Sequence, residues 1–296
     1  MSLDGPHIDD LAERELSACP SPAESPSRSS STSRMLPPRP KPGALSLLFS
    51  QDVASDWWLE SQLLFMTAIT GILDAITFTE YHVFTTKQTG NFLNIALYVF
   101  SKERLAPKIE QTIAVSISSF LIGSFIFGQL AHKVRTRKRG WLIMTTLFQA
   151  TLVLVVALIA RSGVRGDGTG PRALAIVGLL SFAQAGQVSL AIGVGMAELN
   201  TTMITGAIIS TLGDPNIFRR SNHARDRRIL FVVFYLAGCF GGTAMDVNTS
   251  WTFFLAFGMK MAVCASFLFT PGMVADLEKQ DDKGTATPVS HILWGD

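Results

Sequence analysis

Three stretches of this chain, Ile113–Leu130, Trp141–Ala160 and Ala173–Met196, run without a single Asp, Glu, Lys or Arg. A helix needs about 20 apolar residues to cross a bilayer core roughly 30 Å thick. Hydrocarbon offers no water to an unsatisfied peptide group, so such segments must be helices that bond internally. Composition agrees. Charged residues make up 16% of the 296, against about 25% in soluble domains, and the mean hydropathy is +0.31. The chain therefore reads as an all-α polytopic membrane protein.

Six full crossings are expected, near Leu59–Thr79, Ile109–His132, Trp141–Ala160, Ala173–Ala197, Ile229–Val247 and Trp251–Thr270. Trp57, Trp58, Trp141 and Trp251 lie at span starts, where amphipathic rings favour headgroup depth. Two apolar pieces, Phe92–Phe100 and Ala207–Leu212, are too short to cross alone. At 1.5 Å per residue, nine residues rise only about 14 Å. Each piece follows a copy of one phrase, T-T-x-x-T-G. Thr85, Thr86, Thr89 and Gly90 spell the first copy, and Thr201, Thr202, Thr205 and Gly206 the second. The likeness extends outward. Gly71-Ile72-Leu73-Asp74 precedes the first phrase, and Gly186-Gln187-Val188-Ser189 the second. Gly123 and Gly128 follow the first, and Gly238 and Gly242 the second. The reading is two repeats of one three-crossing unit, over 59–165 and 172–272. They are flanked by a Ser/Pro-rich tail over 1–58, read as disordered, and a polar tail over 273–296.

Two topologies fit. If each phrase and its short helix re-enter, each repeat has three crossings and the repeats are inverted. If each short helix crosses, there are eight crossings and parallel repeats. Six crossings place the clusters Lys133, Arg135, Arg137, Lys138, Arg139 and Arg219, Arg220, Arg225, Arg227, Arg228 in the cytoplasm. They leave Arg104, Arg161 and Arg172 outside. Six are favoured, because the turns before each phrase are short. Both topologies put both termini in the cytoplasm, in the plasma membrane or an organelle membrane.

A net charge of +2 gives no reason to expect a nucleic-acid partner. Cys19, Cys239 and Cys264 form no disulfide framework. The five histidines lack metal-ligand spacing. No nucleotide loop, nucleophile elbow or paired-carboxylate motif is visible. Neither an enzyme nor a cofactor is expected, and the sequence fixes no oligomeric state.

Asp74 is the sharpest single residue, because a carboxyl deep in an apolar span costs several kcal/mol unless paired, hydrated or neutral. It is read as a proton- or ion-binding group, against a bland role in satisfying backbone at a helix break. Lys260, mid-span, should face the interior, either to neutralise Asp74 or to attract an anion. The phrases bring hydroxyls, freed backbone groups and helix N-termini that favour an anion or a polar group. Lys87 and Asn91 add to the first copy. Gly123, Gly128, Gly238, Gly241 and Gly242 read as close-packing positions.

The motifs Gly71-x-x-Asp74-Ala75, Thr89-Gly90-Asn91, Gly186-Gln187 and Thr201-Thr202-x-x-Thr205-Gly206 resemble the YoaK-type family of uncharacterised multi-pass membrane proteins. The resemblance covers roughly residues 60–270, and the Ser/Pro tail fits a fungal-type extension. A departure is Val188-Ser189, where the family pattern has Asn-Ala after Gln187. The resemblance implies about six spans and supplies no activity.

The resulting expectation is a small-solute or ion transporter with its site near the membrane midplane where the repeats meet. Its residues would be Asp74, Thr85, Thr86, Lys87, Thr89, Gly90, Asn91, Gln187, Thr201, Thr202, Thr205, Gly206 and Lys260. Its partners would be the lipid bilayer, a small polar or anionic solute and a coupling ion. The alternative is a non-transporting scaffold, lipid-binding or regulatory protein.

Overall fold

A computed structural model describes residues 49–100, 109–162, 170–199, 204–245 and 249–272. Both expected tails, apart from 49–58, lie outside the described residues, as do Thr201 and Thr202.

Among the described residues the structure is helical, with two isolated β-bridges and no strand. We number the helices α1 (Trp57–Tyr81), α2 (Gln88–Phe100), α3 (Ile109–Lys133), α4 (Arg139–Arg161), α5 (Pro171–Gly193), α6 (Ile204–Leu212), α7 (His223–Ala244) and α8 (Thr249–Ser266). A short 3₁₀ turn, Ala197–Leu199, precedes α6. By length and apolarity α1, α3, α4, α5 and α7 suffice to cross a membrane. α8 has 18 residues and carries Lys260.

Helix ends follow local chemistry. Asp56 caps α1 by accepting from the Leu59 N–H at 3.1 Å, which starts the helix two residues before the expected Leu59. α1 stops at His82, whose φ of 55° is left-handed and whose N–H closes the last turn on Phe78 O. That geometry ends a helix and redirects the chain. α2 begins at Gln88, inside the phrase, so Thr89 and Gly90 belong to its first turn rather than to a polar stretch before it.

Hydrogen bonds at the two ends of the bundle give each helix its direction. The Val53 N–H donates to Arg137 O at 2.9 Å, and the Arg139 N–H to Gln51 O at 3.0 Å. Arg137 also donates to Val194 O, and Arg139 donates to Thr270 O. Arg227 pairs with Glu60 and Glu198. The start of α1, the α3–α4 turn, the ends of α5 and α8 and the start of α7 therefore share one end, here the Trp57 end. At the Tyr81 end, Thr249 donates to Glu80 at 2.6 Å, Arg172 donates to Ile159 O, and Tyr81, Val83 and Ile95 pack with Ile109 and Ile113.

Six helices thus run from end to end, and α2 and α6 each return to the end they left. The eight-crossing alternative is excluded, since it would set α1 and α4 antiparallel. α8 earns its place by position: its first residue bonds Glu80, and Ser266 and Thr270 bond Gln62 at the far end of α1.

α1 and α5 form the interior, with 72% and 61% of their central windows buried, against 28% for α3 and 22% for α7. α1 packs along α7 and α8, α5 along α3 and α4, and α4 along α8, while α2 rests on α3 and α6 on α7. Replacing each helix by the one four places later in the chain leaves this scheme unchanged. The α1–α7 and α3–α5 contacts rely on glycine. A Cβ at Gly238 would strike Ala68 O, one at Gly71 would strike Tyr235 O, and one at Gly242 would lie 2.8 Å from Ile72 O. A Cβ at Gly123 would lie 2.9 Å from Ala185 Cβ, and one at Gly186 would lie 2.8 Å from the Phe127 ring. Gly128 and Gly241, also expected at contacts, have nothing within 4 Å of a Cβ. They sit on the outer helices, where the missing side chain meets no neighbour.

Candidate functional site

The first T-T-x-x-T-G phrase turns back into the bundle beside Asp74, seven residues before the end of α1, or about 10 Å deep. Asp74 is 1% exposed. Its Oδ1 accepts from Thr85 N (3.1 Å), Thr85 Oγ1 (2.9 Å) and Thr86 N (3.1 Å). Its Oδ2 accepts from Thr86 Oγ1 and, at 3.3 Å, from the Tyr235 hydroxyl. Lys87 lies 4.4 Å over the Tyr235 ring and within Coulombic reach of Asp74.

Asn91 completes the break. Its side chain accepts from Phe84 N at 3.1 Å and donates to Phe84 O at 2.7 Å. Gln88 donates to Thr85 O, and Ser116 donates to Phe84 O at 2.8 Å while touching Ser181 at 2.9 Å. Backbone that leaves the helical pattern inside a membrane needs such partners. Two threonines, a Gln and an Asn at these spacings supply them locally, with Asp74 received from α1. Thr89 is exposed, and Gly90 lets the Phe84 ring approach to 3.2 Å of where its Cβ would be.

Lys260 belongs to a different cluster. It is fully buried, and its ammonium donates to Gln187 Oε1 at 2.7 Å and Gln149 Oε1 at 3.1 Å, with Met66 Sδ at 4.0 Å. Gln187 in turn donates to Thr70 Oγ1 at 2.7 Å and Met66 O at 3.0 Å. Among the described residues no carboxylate pairs with Lys260. Of the two roles expected for Lys260, neutralising Asp74 is not the one seen among the described residues: the Asp74 oxygens are taken by the break, and α8 presents Lys260 to α4 and α5. α1 links the two clusters, with Thr70 one turn before Asp74, and so does α5, whose Ser181 touches Ser116 at the break and precedes Gln187 by six residues.

α1, α4, α5 and α8 thus bring four polar side chains to one point in the apolar interior. Several buried groups on α4 and α5 have unmet capacity. Gln149 Nε2, Thr146 Oγ1 and both polar atoms of Gln184 are buried without a partner. Gln149, Gln184, Thr146, Thr70 and Tyr235 were not among the expected site residues. The readable signal was three glutamines inside charge-free spans, where an unpaired amide is costly. Of the second phrase, Thr205 is exposed and Gly206 half-buried in the first turn of α6. They are not brought to Lys260 or Asp74 by any bond.

The Trp57 end carries an ion network. Arg227 bridges Glu60 (3.0 Å) and Glu198 (2.8 Å), and Arg228 bonds Glu198 (2.8 Å) and approaches Asp214 (3.8 Å). Partial burial works to raise the Glu198 carboxyl, but hydrogen bonds and charge from Arg227 and Arg228 outweigh it and hold the group below its ordinary value. The network ties the start of α1 to the start of α7 and to the turn before α6.

Among the described residues, eight helices, five of them long and apolar enough to cross a membrane, define a helical integral membrane protein. A family model matches residues 62–266, from the first turns of α1 to the last residue of α8. The chain belongs to that family, described as a protein of unknown function (DUF1275), in keeping with the expected kinship and its extent. No curated protein and no solved structure matches the chain.

Proposed function

We propose that the protein is a small-solute or ion transporter built from two inverted repeats, α1–α4 and α5–α8. The solute site lies at Lys260, where the inner helices of both repeats meet. The observation that carries this reading is a fully buried ammonium held, among the described residues, by two neutral amides and a thioether, with further buried polar atoms without partners on α4 and α5. A scaffold gains nothing from this arrangement, since a buried charge without a counter-charge is expensive. Intramembrane ionisable groups that persist mark solute or ion paths.

The repeat reading rests on the helix-pairing scheme, which is unchanged on exchanging the two halves, and on re-entrant helices that enter from opposite ends. That arrangement supports alternating exposure of a central site. Asp74, engaged by the break at both oxygens, sets the first re-entrant helix rather than meeting the solute. The basic clusters at the Trp57 end support a cytoplasmic side for that end. No catalytic role is proposed.

The test is exchange in liposomes holding the purified protein, across a panel of small ions and metabolites. At least one solute should move faster than through protein-free vesicles. A panel with no such solute contradicts the reading.

A further inference from the structure

The polar centre has a chemical bias. An ammonium has three N–H donors. Two of those of Lys260 go to Gln187 and Gln149, and the third meets only a thioether sulfur at 4.0 Å. Gln149 uses its oxygen on Lys260, so its Nε2, buried and without a partner, lies beside the ammonium on the same amide. Thr146 lies one turn before Gln149 on the same face of α4. Gln184 lies one turn before Gln187 on the same face of α5. Both are at most 1% exposed, and Thr146 Oγ1 and Gln184 Nε2 and Oε1 are without partners. Apart from Gln184 Oε1 and the rotatable Thr146 hydroxyl, the unmet capacity is donor capacity around one positive charge.

A cation at this point would face Lys260 directly. A neutral solute would leave the charge uncompensated. A single negative charge removes the cost of the buried ammonium and accepts from the free donors. With one cation and no carboxylate in the cluster, charge balance calls for one negative charge. The four side chains come from three packed helices, α4, α5 and α8, and all are buried in the interior, so the ligand is small.

We propose that Lys260, Gln149, Gln184 and Thr146 form a binding site for a small monovalent anion, inorganic or a short carboxylate. The site is the solute site of the transporter reading and rests on that reading for its role in movement, though not for binding.

The experiment is thermal unfolding of the full-length protein in detergent. Sodium nitrate, chloride and formate are compared with sodium gluconate, an anion too large for the site, at equal ionic strength. At least one of the three should raise Tm by about 3–5 °C over gluconate. The rise should vanish in Lys260→Met and shrink in Gln149→Leu. If Lys260→Met does not fold, Gln149→Leu alone carries the comparison. No rise in the wild type with any of the three anions, or an equal rise in the variants, overturns the site. Flux separates this inference from the reading beneath it. Anion stabilisation without transport of any solute keeps the site and removes the transporter. Transport of a neutral or cationic solute without anion stabilisation keeps the transporter and removes the site.

Discussion

Gln187 on α5 accepts a 2.7 Å hydrogen bond from Lys260 on α8 and gives its amide hydrogens to Thr70 and Met66 on α1. One side chain thereby joins three helices in an apolar interior. Gln187→Leu keeps the volume but removes three bonds and leaves the ammonium with Gln149 as its only amide partner. Each lost bond at a buried polar group costs about 1–3 kcal/mol. Loss of about 3 kcal/mol is expected, read in detergent as a lower Tm. An unchanged Tm would show that these bonds contribute nothing.

Asp74 separates two roles by substitution. Asn keeps an acceptor for Thr85 and Thr86 N–H, and its NH₂ meets two hydroxyls that can rotate to accept. Ala leaves two N–H and three O–H groups without their acceptor. As a latch for the break, Asp74→Asn should cost about 1–2 kcal/mol and Asp74→Ala about 3–5 kcal/mol. Transport per folded molecule should survive in Asp74→Asn. A folded Asp74→Asn protein with no flux would instead make Asp74 a coupling group.

The glycines divide by geometry. Gly238→Ala and Gly71→Ala push a Cβ into the backbone of the facing helix, and overpacking typically costs about 1–3 kcal/mol. Gly128→Ala and Gly241→Ala meet open space and should stay within about 0.5 kcal/mol. Thermal unfolding of the four variants ranks them. Equal effects in both pairs would contradict the packing described for α1 and α7.

The sequence reached most of the architecture, because its signals are local. Charge-free runs mark the spans, the T-T-x-x-T-G phrases mark the breaks, and brief apolar pieces mark re-entry. Asp74 and Asn91 stand out in the sequence, and each serves backbone within about a dozen residues along the chain. The sequence did not reach the surroundings of Lys260. Gln187 is among the expected site residues, but Gln149 and Gln184 look like tolerated amides until α4, α5 and α8 are packed, and nothing local states which helices adjoin. The Asp74–Lys260 pair is not seen among the described residues, for the same reason. Opposite charges in one hydrophobic region invite pairing, but Asp74 is satisfied by the break and Lys260 bonds Gln149 and Gln187.

The ion network at the Trp57 end gives a pH dependence. Glu198 is held below its ordinary value of 4.5. Its contribution to stability is therefore fully present above that value and is lost as pH falls through the lowered one. The group is about a third exposed, so solvent screens the pairs and the effect is modest. Wild-type Tm should fall more steeply than that of Glu198→Gln on acidification below about pH 4.5. Parallel curves would remove Glu198 from the stability of this end.

The most direct test of the central claim is solute flux by Lys260→Met in liposomes. Met fills a similar volume without the charge, so the bundle should persist with an unfolding free energy within about 1–2 kcal/mol of the wild type. For whichever solute the wild type moves, the variant should fall to the rate of protein-free vesicles. A folded Lys260→Met protein that transports as fast as the wild type would contradict a solute site at Lys260.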